Sequence, residues 1–398
     1  PLFFFAVGWW WRRRERPTLG SWGVLALLLL AAYACHLVVV AVTGLVLMVL
    51  ALTDRSPGVG GSGLRSRLLG VALVGLPPLV LAVGFVSRGD GDPGYTLPLP
   101  TRLLQLATAY SLVSFERREL PMAAGVALVF ASAALYAVLK RRHSPPTGPW
   151  FWSGAALIVL YLSVPDHLGS GTHIVERLNL FVYFAALLWL AAQSLSPPAR
   201  RTMAAAAVLL STGLLISHAA KYQELAAYIE ESLAVAPAVE PNSTLLPAVF
   251  SYRGETADGR PLSRRVFPFS NLAGWIAAER GVVDLRNYQG WVGYFPLLFR
   301  EELNPLVKLS RVAFGIYLTP PAVDLRGYAE RTGGAVDYVL VWNTRPENLT
   351  SESAADPFRQ LEQDYELVAV SRRRGYSRLY RARGAIEVQP SEAGTPTR

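Results

Sequence analysis

The sequence predicts a mostly α-helical membrane protein, in which a polytopic bundle of transmembrane helices is followed by an extracytoplasmic α/β domain. Of its 398 residues, 52% are hydrophobic and only 17% are charged, a composition typical of a chain that resides in lipid. The apolar residues are concentrated before residue 220, whereas the later residues mix charge, Pro and Gly. We therefore expect a transmembrane domain at residues 1–219 and a soluble α/β domain at residues 220–398.

Long uncharged runs predict about seven complete crossings and a truncated first one. A helix needs about 20 apolar residues to cross the hydrocarbon core of a bilayer. The second run is too long for one crossing, because a single helix of that length would overshoot the bilayer. We expect it to form two short helices that turn near Cys35 and His36. The runs occupy residues 1–11, 20–52, 68–87, 120–139, 149–163, 178–195 and 203–217.

The charges of the connecting loops predict the orientation of the helices. The connections at residues 12–16, 54–67, 140–143 and 199–201 hold twelve Lys or Arg and two acids, whereas the opposite loops hold five Arg and six acids. Positively charged loops remain in the cytoplasm. The first set of loops is therefore predicted inside, and the soluble domain at the outer face of the membrane.

The net charge of +9 is explained by this topology and does not indicate nucleic-acid binding. From residue 220 onward the chain holds 21 basic and 21 acidic side chains, so the whole excess lies in the membrane part. A nucleic-acid-binding domain would instead carry clustered basic residues on a soluble surface. The sequence predicts membrane lipid as a partner and no nucleic acid.

The C-terminal residues predict an α/β domain without the motif of a known soluble enzyme. Residues 244–252 and 337–342 are rich in β-branched and aromatic side chains, as strands are, and residues 271–281 and 357–365 have helical patterns. ELVAVS and SRLYRAR predict a final strand pair. The sequence has no GxGxxG, Walker loop, HExxH or GxSxG motif, and its single cysteine provides no disulfide framework.

The segment PDHLGSGTHIVER, at residues 165–177, places two histidines, two acids and an arginine at the mouth of an uncharged helix. Arg177 lies where this helix enters the membrane from the outer side. A guanidinium binds phosphate oxygens in a bidentate fork, so Arg177 is a candidate for binding a lipid phosphate. The alternative is an arginine that extends to lipid headgroups without any specific site.

Other polar residues near the outer helix ends are candidates for binding. His36, His167 and His173 are candidate substrate-binding residues. Together with Asp166 and Glu176, His167 and His173 are also candidate ligands of a divalent metal, because imidazole and carboxylate suit zinc or manganese. For His167 and His173 the alternative is a solvated loop, since the spacing matches no strict metal-binding pattern. For His36 the alternative is a residue that simply lies at the membrane interface.

The layout of the chain resembles a known family. Many short membrane helices, an interfacial loop that ends in ERLNLFVYFAALLWL and a C-terminal α/β domain resemble the back half of bacterial polytopic glycosyltransferases of the C superfamily, including protein mannosyltransferase-like enzymes. The stretches LLLAAYACHLVVVAVTGLVLMVL and GWIAAERGVVDLRNYQGWVGYFPLLFR are similar to segments of large bacterial membrane proteins related to that group. The sequence looks like the C-terminal portion of a longer protein.

The resemblance implies transfer of a sugar from a polyprenyl-phosphate donor to an acceptor at the outer face. It also implies a catalytic carboxylate in a first extracytoplasmic loop, which we expect upstream of the present sequence, so that this portion alone is expected to be inactive. Asp90 and Asp92 are the nearest acidic pair and the candidate general base, although the Gly and Pro around them also fit a turn. The alternative function is a non-catalytic flippase or transporter component for lipid-linked glycans.

Aromatic residues cluster in the stretch YQGWVGYFPLLFR at residues 288–300. Trp291 is a candidate substrate-binding residue, because an exposed aromatic surface would stack on a sugar or face lipid. The alternative is that these aromatics fill the core of the soluble domain or dock it onto the membrane helices.

Overall fold

The computed structural model describes residues 1–54, 62–87, 95–139, 148–167, 172–290, 297–343 and 352–384. The chain forms two compact units, Pro1–Ile216 and Ser217–Arg398, which we call the helical unit and the C-terminal unit. The expected combination of a mostly helical chain with a small C-terminal sheet is confirmed. The candidate residues Asp90, Asp92 and Trp291 lie outside the described residues.

Apolar helices make up the helical unit. Their bounds are α1 Leu2–Arg13, α2 Leu19–Cys35, α3 Leu37–Thr53, α4 Ser62–Val86, α5 Leu99–Ala107, α6 Leu120–Leu139, α7 Pro149–Ser163, α8 Ile174–Ala191 and α9 Pro197–Leu233, the last of which continues into the C-terminal unit. In the part of the chain that the structure describes, four helical segments are long and apolar enough to cross a membrane. They are Gly63–Val86, Arg117–Leu139, Ile174–Ala191 and Pro197–Ala238, while α2, α3 and α7 are apolar but shorter.

The predicted helix break near Cys35 and His36 is confirmed. α2 ends at Cys35 and α3 begins at Leu37, because the backbone of His36 is extended and interrupts the helical hydrogen bonds. The ring Nδ1 of His36 accepts a hydrogen bond from the backbone N–H of Val38 at 3.1 Å. His36 is thus the N-cap of α3 and satisfies one of the donors that a helix start leaves unpaired.

The core of the helical unit is built mainly from α1, α2, α3, α7 and α8. Leu25 of α2, Leu47 of α3 and Leu157 of α7 are fully buried in one cluster. On α1 and α8, the rings of Phe3 and Phe181 pack edge to face with their centroids 5.3 Å apart. By contrast, the large apolar side chains of α4 and α9 are mostly exposed and those of α6 are half-buried or exposed, as expected for surfaces that face lipid.

A buried ionic cluster joins the ends of α1, α3 and α4. Asp54, which directly follows α3, is 5% exposed and accepts hydrogen bonds from Arg14 Nε at 2.9 Å and from Arg67 Nη1 at 3.3 Å. Arg67 Nη2 also donates to the backbone carbonyl of Asp54 at 3.2 Å. Two loops that the charge pattern assigned to one side therefore contact each other directly.

A five-stranded mixed sheet organises the C-terminal unit. Its strands are β1 Thr244–Val249, β2 Val283–Asp284, β3 Tyr338–Trp342, β4 Tyr365–Val370 and β5 Ser377–Ala382. Their order is β2-β1-β3-β5-β4, with β1 parallel to β2 and β3, and β5 antiparallel to β3 and β4. The helices are α10 Leu272–Arg280, α11 Pro305–Lys308, α12 Leu325–Thr332 and α13 Glu352–Asp364. The predicted strands and helices are confirmed, and β2, α11 and α12 were not predicted.

The two faces of the sheet bury different sets of residues, as strand alternation requires. Leu246, Val339 and Val341 pack in a cluster with residues of α12 and α13. Leu245, Leu340 and Leu379 pack against Ile276 of α10 and residues near Val239. Both faces of the central strands are therefore covered.

Pro247 lies inside β1, between two neighbouring strands, although proline cannot donate to a strand ladder. The carbonyls of Ser243 and Leu245 accept hydrogen bonds from the β2 side. Alternation puts the missing N–H of Pro247 on that same side, beyond the end of β2 at Asp284. The shortness of β2 is what makes a proline acceptable here.

Candidate functional site

The structure brings together two of the predicted site residues that are far apart in sequence. Arg177, in the first turn of α8, and His36, between α2 and α3, are 141 residues apart, and Arg177 Nη1 lies 2.6 Å from His36 Nε2. Arg177 is exposed and His36 is half-buried. Burial, and after it the charge of Arg177, lower the pKa of His36 below its ordinary value of 6.5. The ring is therefore neutral at neutral pH.

The hydrogen bonds around His36 cannot all be made by one neutral imidazole. Such a ring has one acceptor nitrogen and one N–H donor. In the tautomer whose Nδ1 accepts from the backbone N–H of Val38, Nε2 carries the proton and faces Arg177, whose guanidinium only donates. Two donors thus face each other at 2.6 Å. An oxyanion that contacts both groups would satisfy them together.

The candidate metal ligands form two pairs. His167 Nε2 lies 3.8 Å from Asp166 Oδ2, and His173 Nδ1 lies 3.5 Å from Glu176 Oε2. Asp166 is buried and its Oδ1 accepts a hydrogen bond from the backbone N–H of Val175, so it stabilises the start of α8. Among the described residues, no group of three or more His, Cys, Asp or Glu is placed to hold a metal ion.

A buried arginine that contacts the C-terminal end of α7 was not recognised from the sequence as a site residue. Arg102 of α5 is 1% exposed, its Nε donates to the carbonyl of Leu97 at 3.0 Å and its Nη1 to the carbonyl of Tyr161 at 2.9 Å. The Tyr161 hydroxyl donates back to the carbonyl of Arg102 at 2.7 Å. These bonds fasten α5 to the end of α7. The sequence signal for α5 is Pro98 before a short amphipathic stretch.

A second polar contact connects the start of α8 to α5. Asn179 of α8 is 1% exposed and its Nδ2 donates to the carbonyl of Gln105 at 3.2 Å. Ser111 Oγ lies 2.6 Å from the carbonyl of Glu176 and 3.0 Å from Asn179 Oδ1. Because a buried amide in an apolar helix is costly unless it is bonded, Asn179 fixes the first turns of α8, which carry Arg177.

The remaining candidate residues lie outside the described residues, although parts of the aromatic stretch are described. Of the aromatic stretch at residues 288–300, Tyr288 is 42% exposed, and the ring of Phe299 lies so close to Gly290 that an added Cβ would be 2.8 Å from it. Trp291 lies in the undescribed part of this stretch, as Asp90 and Asp92 do in theirs. Their assigned roles stay predictions.

Comparisons of the chain with protein-family models, with curated proteins and with solved structures found no match. Functional interpretation therefore depends on the geometry of the described residues.

Proposed function

We propose that the protein is a membrane-embedded, glycosyltransferase-like protein whose Arg177 and His36 bind the phosphate of a polyprenyl-phosphate sugar. The single observation that carries this proposal is the 2.6 Å contact between Arg177 Nη1 and His36 Nε2, which sets two donors together in the tautomer whose Nδ1 accepts from Val38. Such a pair lacks an acceptor. The oxygens of a phosphate supply one and form charge-assisted hydrogen bonds with both groups.

The surroundings of the pair favour a lipid-linked ligand over a soluble one. Arg177 lies in the first turn of α8, an apolar helix of 18 residues that is long enough to cross a membrane. On α5, which Asn179 and Arg102 tie to α8 and α7, the apolar side chains of Leu99, Leu103 and Leu104 are exposed. Exposed leucines on a short amphipathic helix are typical of a membrane interface. A phosphate held at Arg177 would therefore have its hydrocarbon chain beside apolar surfaces.

The orientation of the site is part of the proposal. α3 has 17 residues and therefore spans about 25 Å between His36 and Asp54. Asp54 lies at the end of the helices where the connecting loops are rich in Arg. The positive-inside rule assigns these loops to the cytoplasm. The Arg177–His36 pair then lies at the outer face, where the C-terminal unit is also proposed to reside.

Sugar transfer from such a donor needs one further group. A hydroxyl of the acceptor attacks the anomeric carbon, the bond from that carbon to the phosphate oxygen breaks, and the lipid phosphate leaves with its negative charge. The proton of the hydroxyl must pass to a carboxylate. The resemblance to C-superfamily glycosyltransferases implies that this carboxylate lies upstream of the present sequence. Of the described acids, Asp166 is buried and bonded to the start of α8, and Glu176, the neighbour of Arg177 in sequence, pairs with His173 at 3.5 Å.

Binding of a polyprenyl-phosphate sugar to the protein in lipid nanodiscs tests the proposal. Arg177→Ala is expected to weaken binding by about 10-fold or more, because a charge-assisted hydrogen bond contributes about 1.5–3 kcal/mol, and Arg177→Lys to restore it only in part. Arg118→Ala is the matched control, because Arg118 is 60% exposed and pairs with Glu116 at 2.8 Å. Equal binding by the Arg177 and Arg118 variants would contradict the proposal.

The fate of the bound lipid distinguishes the two functional classes. Appearance of the sugar on an acceptor, lost in Arg177→Ala, supports a transferase. Movement of the intact lipid-linked sugar between leaflets, with no sugar transferred, would instead support the flippase alternative.

A further inference from the structure

The C-terminal unit contains a buried arginine that forms no ion pair with any carboxylate of the described residues. Arg286, two residues after β2, is 7% exposed. Its Nη2 donates to the hydroxyl of Tyr252 at 2.7 Å, but its Nε and Nη1 are buried without any hydrogen-bond partner. Among the residues that the structure describes, no carboxylate forms an ion pair with it. A buried, unpaired guanidinium is strongly unfavourable.

Two tyrosine rings enclose this guanidinium. The Cζ atom of Arg286 lies 5.0 Å from the ring centroid of Tyr252 and 5.1 Å from that of Tyr317, both within the range of cation–π contacts. The Tyr317 hydroxyl donates to the carbonyl of Arg286 at 3.1 Å, and the Tyr252 hydroxyl donates to the carbonyl of Tyr317. These bonds hold the two rings and the arginine in one fixed arrangement. The rings stabilise the cation without using its free N–H groups.

The nearest acid in sequence, Asp284, forms no hydrogen bond with the Arg286 guanidinium. Asp284 Oδ1 accepts a hydrogen bond from the backbone N–H of Arg286 at 2.9 Å. Burial raises the pKa of Asp284 above its ordinary value, against the opposing effects of that hydrogen bond and of the Arg286 charge. The backbone, rather than the guanidinium, is thus the hydrogen-bonding partner of this carboxyl group.

The location fits a ligand site. Arg286 and Tyr252 follow the carboxyl ends of β2 and β1, and ligands of open α/β sheets bind beyond the carboxyl ends of parallel strands. Asn343 follows β3 at the same edge, is fully buried, and has both side-chain amide atoms without a hydrogen-bond partner. Unpaired buried polar groups in a native protein are rare and usually mark a place where a ligand or water is bound.

We infer that Arg286, with Tyr252 and Tyr317, binds an oxyanion group, a phosphate or a carboxylate, of a small soluble ligand. The free Nε and Nη1 groups of Arg286 donate to the oxyanion oxygens, and the two rings exclude water from the contact. Access requires a local opening of the unit, since these nitrogen atoms are shielded from solvent. The inference concerns the C-terminal unit alone and does not depend on the role proposed for Arg177.

The matched control is Arg374, a half-buried arginine of the same unit. Its Nη1 donates to Glu231 Oε2 at 2.8 Å, and its backbone N–H donates to Glu231 Oε1 at 2.7 Å. Arg374 also stacks on Tyr228, with its Cζ 3.9 Å from the ring centroid. It resembles Arg286 in its aromatic contact and differs in having an acid that neutralises it.

Thermal unfolding of the full chain in nanodiscs of uncharged lipid tests the inference, with potassium phosphate, acetate and chloride compared at equal ionic strength. Phosphate or acetate is expected to raise the unfolding midpoint of the C-terminal unit by about 2–4 °C over chloride. Arg286→Met should abolish this rise, whereas Arg374→Met should keep it. The phosphate and acetate arms show which oxyanion is preferred. No anion-specific rise in the unaltered protein, or an equal rise in Arg286→Met, would overturn the inference.

The midpoints in chloride provide a second readout. Replacing an uncompensated buried cation by Met should leave the midpoint of Arg286→Met equal to or above that of the unaltered protein. Arg374→Met should lower it, because Glu231 is left buried without its cation. A large loss of stability, or a failure to fold, in Arg286→Met alone would show that the guanidinium is already satisfied within the protein and would also overturn the inference.

Discussion

The two ends of α3 carry polar clusters of opposite character. At one end, Asp54 lies between Arg14 and Arg67 and accepts a hydrogen bond from each. At the other end, His36 faces Arg177 with a donor against a donor. A cluster whose donors and acceptors match contributes to folding, whereas a cluster that lacks an acceptor is suited to a ligand that brings one.

The comparison requires that the two ends of α3 lie on opposite sides of a membrane, which thiol labelling tests. In a Cys35→Ser background, Arg118→Cys is expected to react with an impermeant thiol reagent in intact cells, and Arg16→Cys only after the cells are permeabilised. Both positions are exposed, so access depends on sidedness. Labelling of both or of only Arg16→Cys from outside would refute the proposed orientation.

Removal of the acceptor at the Asp54 end should have a large effect on stability. Asp54→Asn keeps the size of the side chain but removes the buried carboxylate that Arg14 and Arg67 share, which is expected to cost about 3–5 kcal/mol. Unfolding of the purified protein in nanodiscs measures this. Glu15→Gln is the control, because Glu15 is 53% exposed and lies 3.5 Å from Arg14, and surface ion pairs contribute little. Similar losses in both variants would contradict the account of Asp54.

An intermediate effect is expected at Glu231 in the C-terminal unit. Burial favours a higher pKa for this carboxyl group, but hydrogen bonds from Arg374 and Ser371 outweigh burial and lower the pKa below its ordinary value of 4.5. A lowered folded-state pKa stabilises the unit above the unfolded-state value, and this stability is lost as the pH falls through the folded-state pKa.

Glu231→Gln should therefore lower the unfolding free energy at pH 7 by about 2–3 kcal/mol. It should also flatten the decline of stability on acidification below pH 4.5. Unfolding midpoints of the C-terminal unit across this range measure both effects. An unchanged acid profile in Glu231→Gln would show that other carboxyl groups control the decline.

The smallest effect on stability is expected at the Arg177 end. Arg177→Ala removes an exposed donor that faces another donor, so the unfolding free energy should change by no more than about 0.5 kcal/mol. The same unfolding assay as for Asp54→Asn measures it. A loss comparable to that of Asp54→Asn would mean that Arg177 is a structural residue and would remove the basis of the comparison.

Much of the fold was predictable from the sequence because its signals are local. Uncharged runs predicted the apolar helices, and β-branched residues predicted β1 and β3. β2 was missed because a strand of two residues, Val283 and Asp284, carries no alternation. α5 was missed because its nine residues were taken as part of a loop. Both elements are stabilised by tertiary contacts rather than by a local sequence pattern.

The sequence predicted which residues form the candidate site but not how they contact each other. Charge counting placed His36 and Arg177 near the same helix ends, but their contact depends on how α8 packs beside the α2–α3 junction. The two guanidinium N–H groups of Arg286 that lack a hydrogen-bond partner gave no sequence signal, since the pairing of buried groups is a property of the folded unit. The pairing of Asp54 with Arg14 and Arg67 likewise follows from the packing of helix ends.

The protonation of His36 tests the central claim most directly. Protein labelled with ¹⁵N-histidine in nanodiscs, with the His36 signals assigned by their absence in His36→Gln, is titrated with and without a polyprenyl phosphate. Without the lipid, the pKa of His36 should lie below 6.5, with the proton on Nε2. A bound phosphate should raise this pKa, because it favours the charged ring, and binding should strengthen as the pH falls. A pKa of His36 that the lipid phosphate leaves unchanged would contradict the account.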